Sequence, residues 1–369
     1  MELYNILNWF KRNLCEIILS QRKTLGYLVY GLLKCGKVGV AAIGRGMESN
    51  TTARHNIKRV ARYLENKNIK VSKTLINYQK IVLNGLKTIY LIIDWTLIKN
   101  RGYQSLVVSI ISDGRAIPLF FKTYKEGEIY KQQTKYEILM LDEIKKIVDK
   151  DVKLYIIGDR GFGQKPELIQ HIDKLGFYYV ERCKDSYYME KNNYKGKMKD
   201  YSIKNNSIND LKDVIWPNIG LSRQKEKSFR LKSRLIFLKK DGYKERWILC
   251  TNDYESDSYK IILIYGKRMN IEQSFKDKKN LDRGFCFEKM RLSSAERYDR
   301  MLLLICFAYL FLTLLGKLAE NNRLHKKIMP NTVKYRSISL FQVGKYYFLH
   351  IKIPVEHLLN IIQEILYEI

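Results

Sequence analysis

No C-x-x-C pair, no signal-peptide pattern, no internal repeat and no low-complexity tract occurs in these 369 residues. The six cysteines (Cys15, Cys35, Cys183, Cys250, Cys286, Cys306) are scattered, and no histidine stands near them at ligand spacing. That spacing excludes a zinc cluster and a disulfide framework. Lys11 and Arg12 lie near the N-terminus without the apolar core of a signal peptide, so the expected location is the bacterial cytoplasm, at the nucleoid. A bilayer-length apolar run is also lacking. The longest, Met301–Leu315, covers about 15 residues where a span requires about 20. It contains Thr313 and is flanked by Arg297, Arg300 and Lys317, so a buried core helix is expected and no membrane contact. Acidic residues are scarce, Asp+Glu 38 against Lys+Arg 67, for a formal net charge of +29. A chain this basic suits a polyanionic partner, since neutralising phosphates releases condensed counterions. Its apolar fraction of 46% excludes a largely disordered protein.

Residues 1–80 read as helices punctuated by Gly36, Gly39, Gly44 and Gly46. The clearest helix starts after Thr51 and Thr52, which are suitable N-caps. Ile57, Val60, Ala61 and Leu64 make its apolar face, while Arg54, His55, Lys58, Arg59 and Arg62 decorate the remainder. Such a helix suits docking on a DNA backbone, and the segment is expected to be a helical DNA-binding domain.

An α/β pattern follows. Ile89–Ile93 reads as a buried strand ending at Asp94. Leu106–Ile111 and Ala116–Lys122 read as a hairpin about Asp113-Gly114. Next come a helix over Thr134–Asp149, a strand over Leu154–Ile157 running into Asp159, a helix over Lys165–Leu175 and a strand over Phe177–Glu181. Two aspartates thus sit at the carboxyl ends of strands, where α/β sheets place their sites. From 184 to about 250 the chain reads as a basic, β-rich insertion, with strands at Phe229–Leu238 and Arg246–Cys250. The last fifty residues read as mainly helical.

A single helix is expected from about 258 to 280. On it Tyr265, Arg268, Glu272 and Lys279 would project within roughly 60° of one another, beside an apolar stripe of Ile264, Ile271 and Phe275. A carboxylate flanked by a phenol and two cations is an odd face for a structural helix, and phosphodiester chemistry explains it. Two divalent cations about 3.5–4 Å apart can activate water and stabilise the leaving oxygen. Hard cations prefer carboxylate oxygen, which Asp94, Asp159 and Glu272 would supply. Arg268 and Lys279 would grip the neighbouring phosphates.

At these residues the chain resembles the DDE transposases of bacterial insertion sequences, and more narrowly the insertion-sequence-four family. Tyr265, Arg268, Glu272 and Lys279 match its signature Y-x2-R-x3-E-x6-K without a gap. Asp94-Trp95-Thr96 matches its D-x-T pattern, and Asp159-Arg160-Gly161-Phe162 its D-R-G-aromatic pattern. The resemblance implies a ribonuclease-H-like catalytic core at 81–183 and 255–320, split by the insertion at 184–254. A C-terminal region at 321–369 would take part in dimerisation. It further implies Mg²⁺ or Mn²⁺, two ions per site, held by Asp94, Asp159 and Glu272. The partners implied are double-stranded DNA, as transposon ends and target, and a second copy of the chain in the synaptic complex. Cleavage would pass through a DNA hairpin whose flipped base stacks on Trp247, with Tyr265 and Arg268 around the adjoining phosphate and Arg160 also on DNA. Two other readings stay open: a ribonuclease-H-fold nuclease without strand transfer, and a non-catalytic DNA-binding derivative.

Overall fold

A computed structural model describes residues 1–98, 101–163, 165–216, 231–242, 245–279, 284–330 and 332–366. Helices α1 (Leu3–Asn13), α2 (Leu19–Cys35), α3 (Val40–Gly46), α4 (Ala53–Glu65) and α5 (Val71–Leu83) come first. Strands β1 (Thr88–Ile98), β2 (Tyr103–Ser112) and β3 (Arg115–Lys125) precede α6 (Glu126–Ile129) and α7 (Gln133–Ile147). Then come β4 (Lys153–Gly158), α8 (Pro166–Lys174) and β5 (Tyr178–Arg182). Strands β6 (Tyr188–Lys191), β7 (Tyr194–Lys197), β8 (Ser207–Trp216), β9 (Leu231–Lys239) and β10 (Trp247–Thr251) lead to α9 (Ser258–Gly266) and α10 (Met269–Lys279). Helices α11 (Ala295–Asn321), α12 (Leu340–Tyr347) and α13 (Val355–Leu359) close the chain. The start of the expected strand at Phe229 lies outside the described residues.

The chain divides into two compact units, one of 1–84, 95–128 and the segment from Asn270 on, the other of 85–94 and 129–269. The first is organised by α11. This helix has 27 residues, against about 15 expected, and would be long enough to span a bilayer, yet every residue from Tyr298 to Gly316 is buried in the protein. The expected flank Arg300 lies within it, donating to Leu64 O at 2.7 Å. Asp299 accepts from Thr123 N at 2.8 Å and pairs with Lys122 at 3.1 Å. With Asp299 paired and Arg300 bonded through one guanidinium nitrogen, its Nε left without a partner, a helix apolar all round can serve as a core element. Trp9, Phe10 and Tyr78 pack edge-on against its Phe307.

Helices α11 and α12 meet at two glycines. A Cβ on Gly344 would lie 1.8 Å from Leu312 O, and one on Gly316 1.9 Å from Leu340 O. Gly344→Ala is therefore expected to cost about 3 kcal/mol by overpacking. Chemical denaturation checks this, and an unchanged midpoint would refute such a close approach.

In the second unit the strand order is β1-β4-β5-β10-β9-β8-β6-β7. β1, β4 and β5 run parallel, with Ile92 opposite Ile157 and Gly158 opposite Glu181. β10 joins β5 antiparallel, and β9 and β8 follow. The β-rich insertion therefore extends the sheet that carries the aspartates. Its β10 is buried over Ile248, Leu249 and Cys250, so it requires strand partners on both edges. Arg234, almost wholly buried on β9, bonds both oxygens of Asp210 and the carbonyls of Asp253 and Ser256, which fixes the turn before α9.

Two expectations about the backbone are corrected. β1 does not end at Asp94; it continues through Trp95 to Ile98, because Thr96 and Ile98 are buried and the segment consists of good strand formers. The expected helix over 258–280 is two helices. Gly266 ends α9, and the N–H groups of Lys267 and Arg268 turn back to Ile264 O and Tyr265 O in tight three-residue steps. Glycine is the weakest helix former after proline, and here it lies where the ladder breaks. Tyr265, Arg268, Glu272 and Lys279 thus do not form a stripe on one helix.

Candidate active site

Asp94 lies two residues beyond Ile92, and Asp159 two residues beyond Ile157, its partner on the neighbouring parallel strand. Both acids thus fall two residues past a paired position, Asp94 within β1 and Asp159 in the turn just beyond β4. Both are half-buried. Asp159 Oδ1 accepts from Gly161 N at 2.7 Å, and its carbonyl accepts from Phe162 N and Gly163 N at 3.1 Å. The turn is compact because glycines let it press on β5. A Cβ on Gly163 would be 2.4 Å from Arg182 O, and one on Gly158 2.2 Å from Glu181 Oε2.

Around Asp159, within the same unit, stand Tyr265, Arg268, Arg160, Arg182 and Trp247. Tyr265 is buried, and burial raises its phenol pKa against the opposing pull of Arg268 and Arg182. Its ring meets Trp247 edge-on at 5.0 Å and 78°. Trp247 is half-buried as the first residue of β10. Arg182, depressed by burial and by neighbouring Arg160, donates to Glu245 at 3.2 Å. Arg160 pairs with the same carboxylate. Three guanidinium groups and two aromatic rings beside an aspartate can hold a phosphate and its sugar or base.

Glu272 and Lys279 belong to the first unit. α10 is anchored there by a polar stripe: Asn270 donates to Ser112 O at 3.1 Å, Ser274 accepts from Ala116 N at 2.6 Å, and Asp277 pairs with Arg115 at 2.7 Å. The expected apolar stripe contributes through fully buried Ile271, while Phe275 is half-buried. Glu272 occupies the first turn, half-buried. Lys279 donates to Leu97 O at 2.9 Å and lies 3.4 Å from Glu288.

The helix expected to meet DNA forms as read. Thr52 caps α4 by accepting from His55 N. Arg54, His55, Lys58 and Arg62 are exposed, and Arg59 lies over the Tyr27 ring at 5.3 Å. His55, Arg59 and Arg62 border a groove of about 410 Å³ shared with Ser20, Gln21, Thr24, Thr51 and Asn66; Arg54 and Lys58 lie outside it.

Among the described residues no three His, Cys, Asp or Glu side chains already stand as a metal cluster. Beside Asp159 lies Glu181, fully buried, with neither carboxylate oxygen hydrogen-bonded. In the sequence Glu181 reads only as the end of the strand Phe177–Glu181, and Arg182 lies beyond it. The available signal was an acid inside the run Tyr178–Arg182.

A family model described as the transposase DDE domain matches residues 86–311. That segment contains Asp94, Asp159 and Glu272. No curated protein matches the chain.

Proposed function

Since the chain belongs to the family of the transposase DDE domain, we propose that it is a cut-and-paste transposase of the insertion-sequence-four group. Along Arg54–Asn66, Tyr265–Lys276 and Ser294–Leu304 it resembles the insertion-sequence-ten transposase. The observation that carries the reading is that adjacent parallel strands β1 and β4 bring Asp94 and, just past the end of β4, Asp159 to the same end of the sheet inside the matched segment. With Glu272 they would hold two Mg²⁺ or Mn²⁺ ions, which when bound supply an activated water and a stabilised leaving oxygen. Arg160, Arg182 and Arg268 orient the scissile strand by its phosphates. Tyr265 and Trp247 offer a surface for a base extruded at a DNA hairpin, since stacking offsets the cost of unstacking. Lys279 grips DNA from α10, helix α4 holds the end by its backbone, and two copies act on paired ends in the nucleoid.

The test is an in vitro reaction of the full chain with DNA bearing the inverted repeats that flank its gene, plus a target plasmid and Mg²⁺. Hairpin-ended and then target-joined products are expected. Hydrolysis with no joining would instead establish a nuclease of the same fold, and binding with no cleavage a DNA-binding derivative. Within that assay Trp247→Ala should nick the ends normally and stall before the hairpin. Equal hairpin yields from the variant and the parent would remove Trp247 from that role.

A further inference from the structure

The core of the first unit contains a lysine. Lys278, in the last turn of α10, is only 5% exposed, a place that ordinarily goes to an aliphatic residue. What faces its ammonium are rings, Phe275 with its centroid at 5.0 Å and Tyr309 at 5.8 Å. Such contacts offset part of the cost of burying a cation, not all of it. Among the described residues the ammonium reaches no hydrogen-bond acceptor. Asp277 beside it already takes Arg115 at 2.7 Å and the Tyr309 hydroxyl at 3.1 Å. Burial lowers the Lys278 pKa to about 8, against the opposing pull of the Cys306 thiol and Asp277.

Lys278 lines a cavity of about 20 Å³ together with Thr96, which is 7% exposed. The Thr96 hydroxyl oxygen is itself buried without a hydrogen-bond partner. A second lysine at the cavity, Lys279, donates to Leu97 O at 2.9 Å and lies 3.4 Å from Glu288. The remaining walls are apolar, Phe121, Phe275 and Phe287 among them, with the Cys306 thiol. All of these residues belong to the first unit. An ammonium, a hydroxyl and a thiol thus border one small space, and among the described residues no carboxylate lines it. Its volume suits a single species near the size of a water and is too small for phosphate or a nucleotide. A water would satisfy the hydroxyl but leave the ammonium without a counter-charge. A monatomic anion supplies that charge where water is excluded and Coulomb attraction is strongest.

We propose that the cavity between Lys278 and Thr96 is a halide site, taking chloride, with the ammonium and the hydroxyl as its donors. The ion joins β1 beyond Asp94 to α10 and α11, and so steadies the helix that carries Glu272. The site stands on packing and charge within one unit and does not depend on the transposase reading.

The test is thermal melting of the full chain at fixed ionic strength, with chloride exchanged for gluconate, which is too large to enter. A crystal soaked in bromide, located by its anomalous scattering, accompanies it. The parent should melt higher in chloride, and an anomalous peak should stand between Lys278 Nζ and Thr96 Oγ1. Lys278→Met keeps much of the length and the apolar stem, and should melt at the same temperature in both salts. Thr96→Val should bind chloride about ten- to a hundredfold more weakly, the loss of one hydrogen bond to a charged group. Equal melting of the parent in the two salts would overturn the proposal, as would a chloride response that persists undiminished in Lys278→Met. Should Lys278→Met fail to fold, Thr96→Val and the bromide crystal decide. A water in the cavity with no bromide peak, or parental chloride affinity in Thr96→Val, overturns the site.

Discussion

Asp159→Asn is expected to lower strand cleavage by roughly a thousandfold or more while leaving binding to the transposon end within a few-fold of the parent. The substitution keeps volume and one oxygen. Asn can still accept from Gly161 N as Asp159 Oδ1 does at 2.7 Å, so the compact turn after β4 should survive. What it removes is the negative charge that a divalent cation requires of its oxygen donors. Asp94→Asn should behave alike, because Asp94 lies at the same end of the neighbouring parallel strand and would make the same contribution. The double variant should be scarcely worse than either single one, since groups acting as a unit are strongly non-additive. Cleavage by Asp159→Asn at the parental rate in Mg²⁺ would end the carboxylate-metal account. Loss of end binding in parallel would mean the turn had collapsed and would show in the thermal melt.

The strands that carry the two aspartates were legible in the sequence because the requirement is local: an aliphatic run long enough for a buried strand, here followed by an acid. That the two acids come to the same end of the sheet depends on β1 pairing with β4, more than sixty residues later. The break between α9 and α10 was less legible. Apolar spacing continues across Gly266, and periodicity alone does not register that the ladder stops there. Glu181 shows a different limit. Whether a strand-terminal Glu faces water or is sealed depends on β10 arriving from more than sixty residues later to cover the free edge of β5. Arg300 failed in the opposite sense. It looked like the charged flank of an apolar helix but is buried inside it, because Leu64 O receives its guanidinium. In both cases burial was decided by a distant segment that local composition does not encode.

Affinity for end DNA is expected to fall by roughly a thousandfold to a hundred-thousandfold between 50 and 200 mM salt, as for a protein that neutralises about six to ten phosphates. The net charge of +29 sets the sign, and the groove beside α4 shows where part of it acts. His55, Arg59 and Arg62 line it with the hydroxyls of Ser20, Thr24 and Thr51, and among the described residues no carboxylate borders it. The nearest acid on the helix, Glu65, pairs with Arg297 at 3.1 Å, so it does not neutralise Arg62. Arg59 is held over the Tyr27 ring, which limits its rotamers before DNA arrives. Arg62→Gln should therefore weaken binding to all sequences alike and reduce the salt slope by about one, the signature of a lost phosphate contact. Arg59→Lys should keep the slope, since the charge remains, yet lower affinity, since the planar guanidinium and its stacking are gone. A slope that stays the same in Arg62→Gln would place the phosphates elsewhere on the basic surface. A change confined to one end sequence would mean that Arg62 reads bases instead, which phosphate contacts alone cannot do.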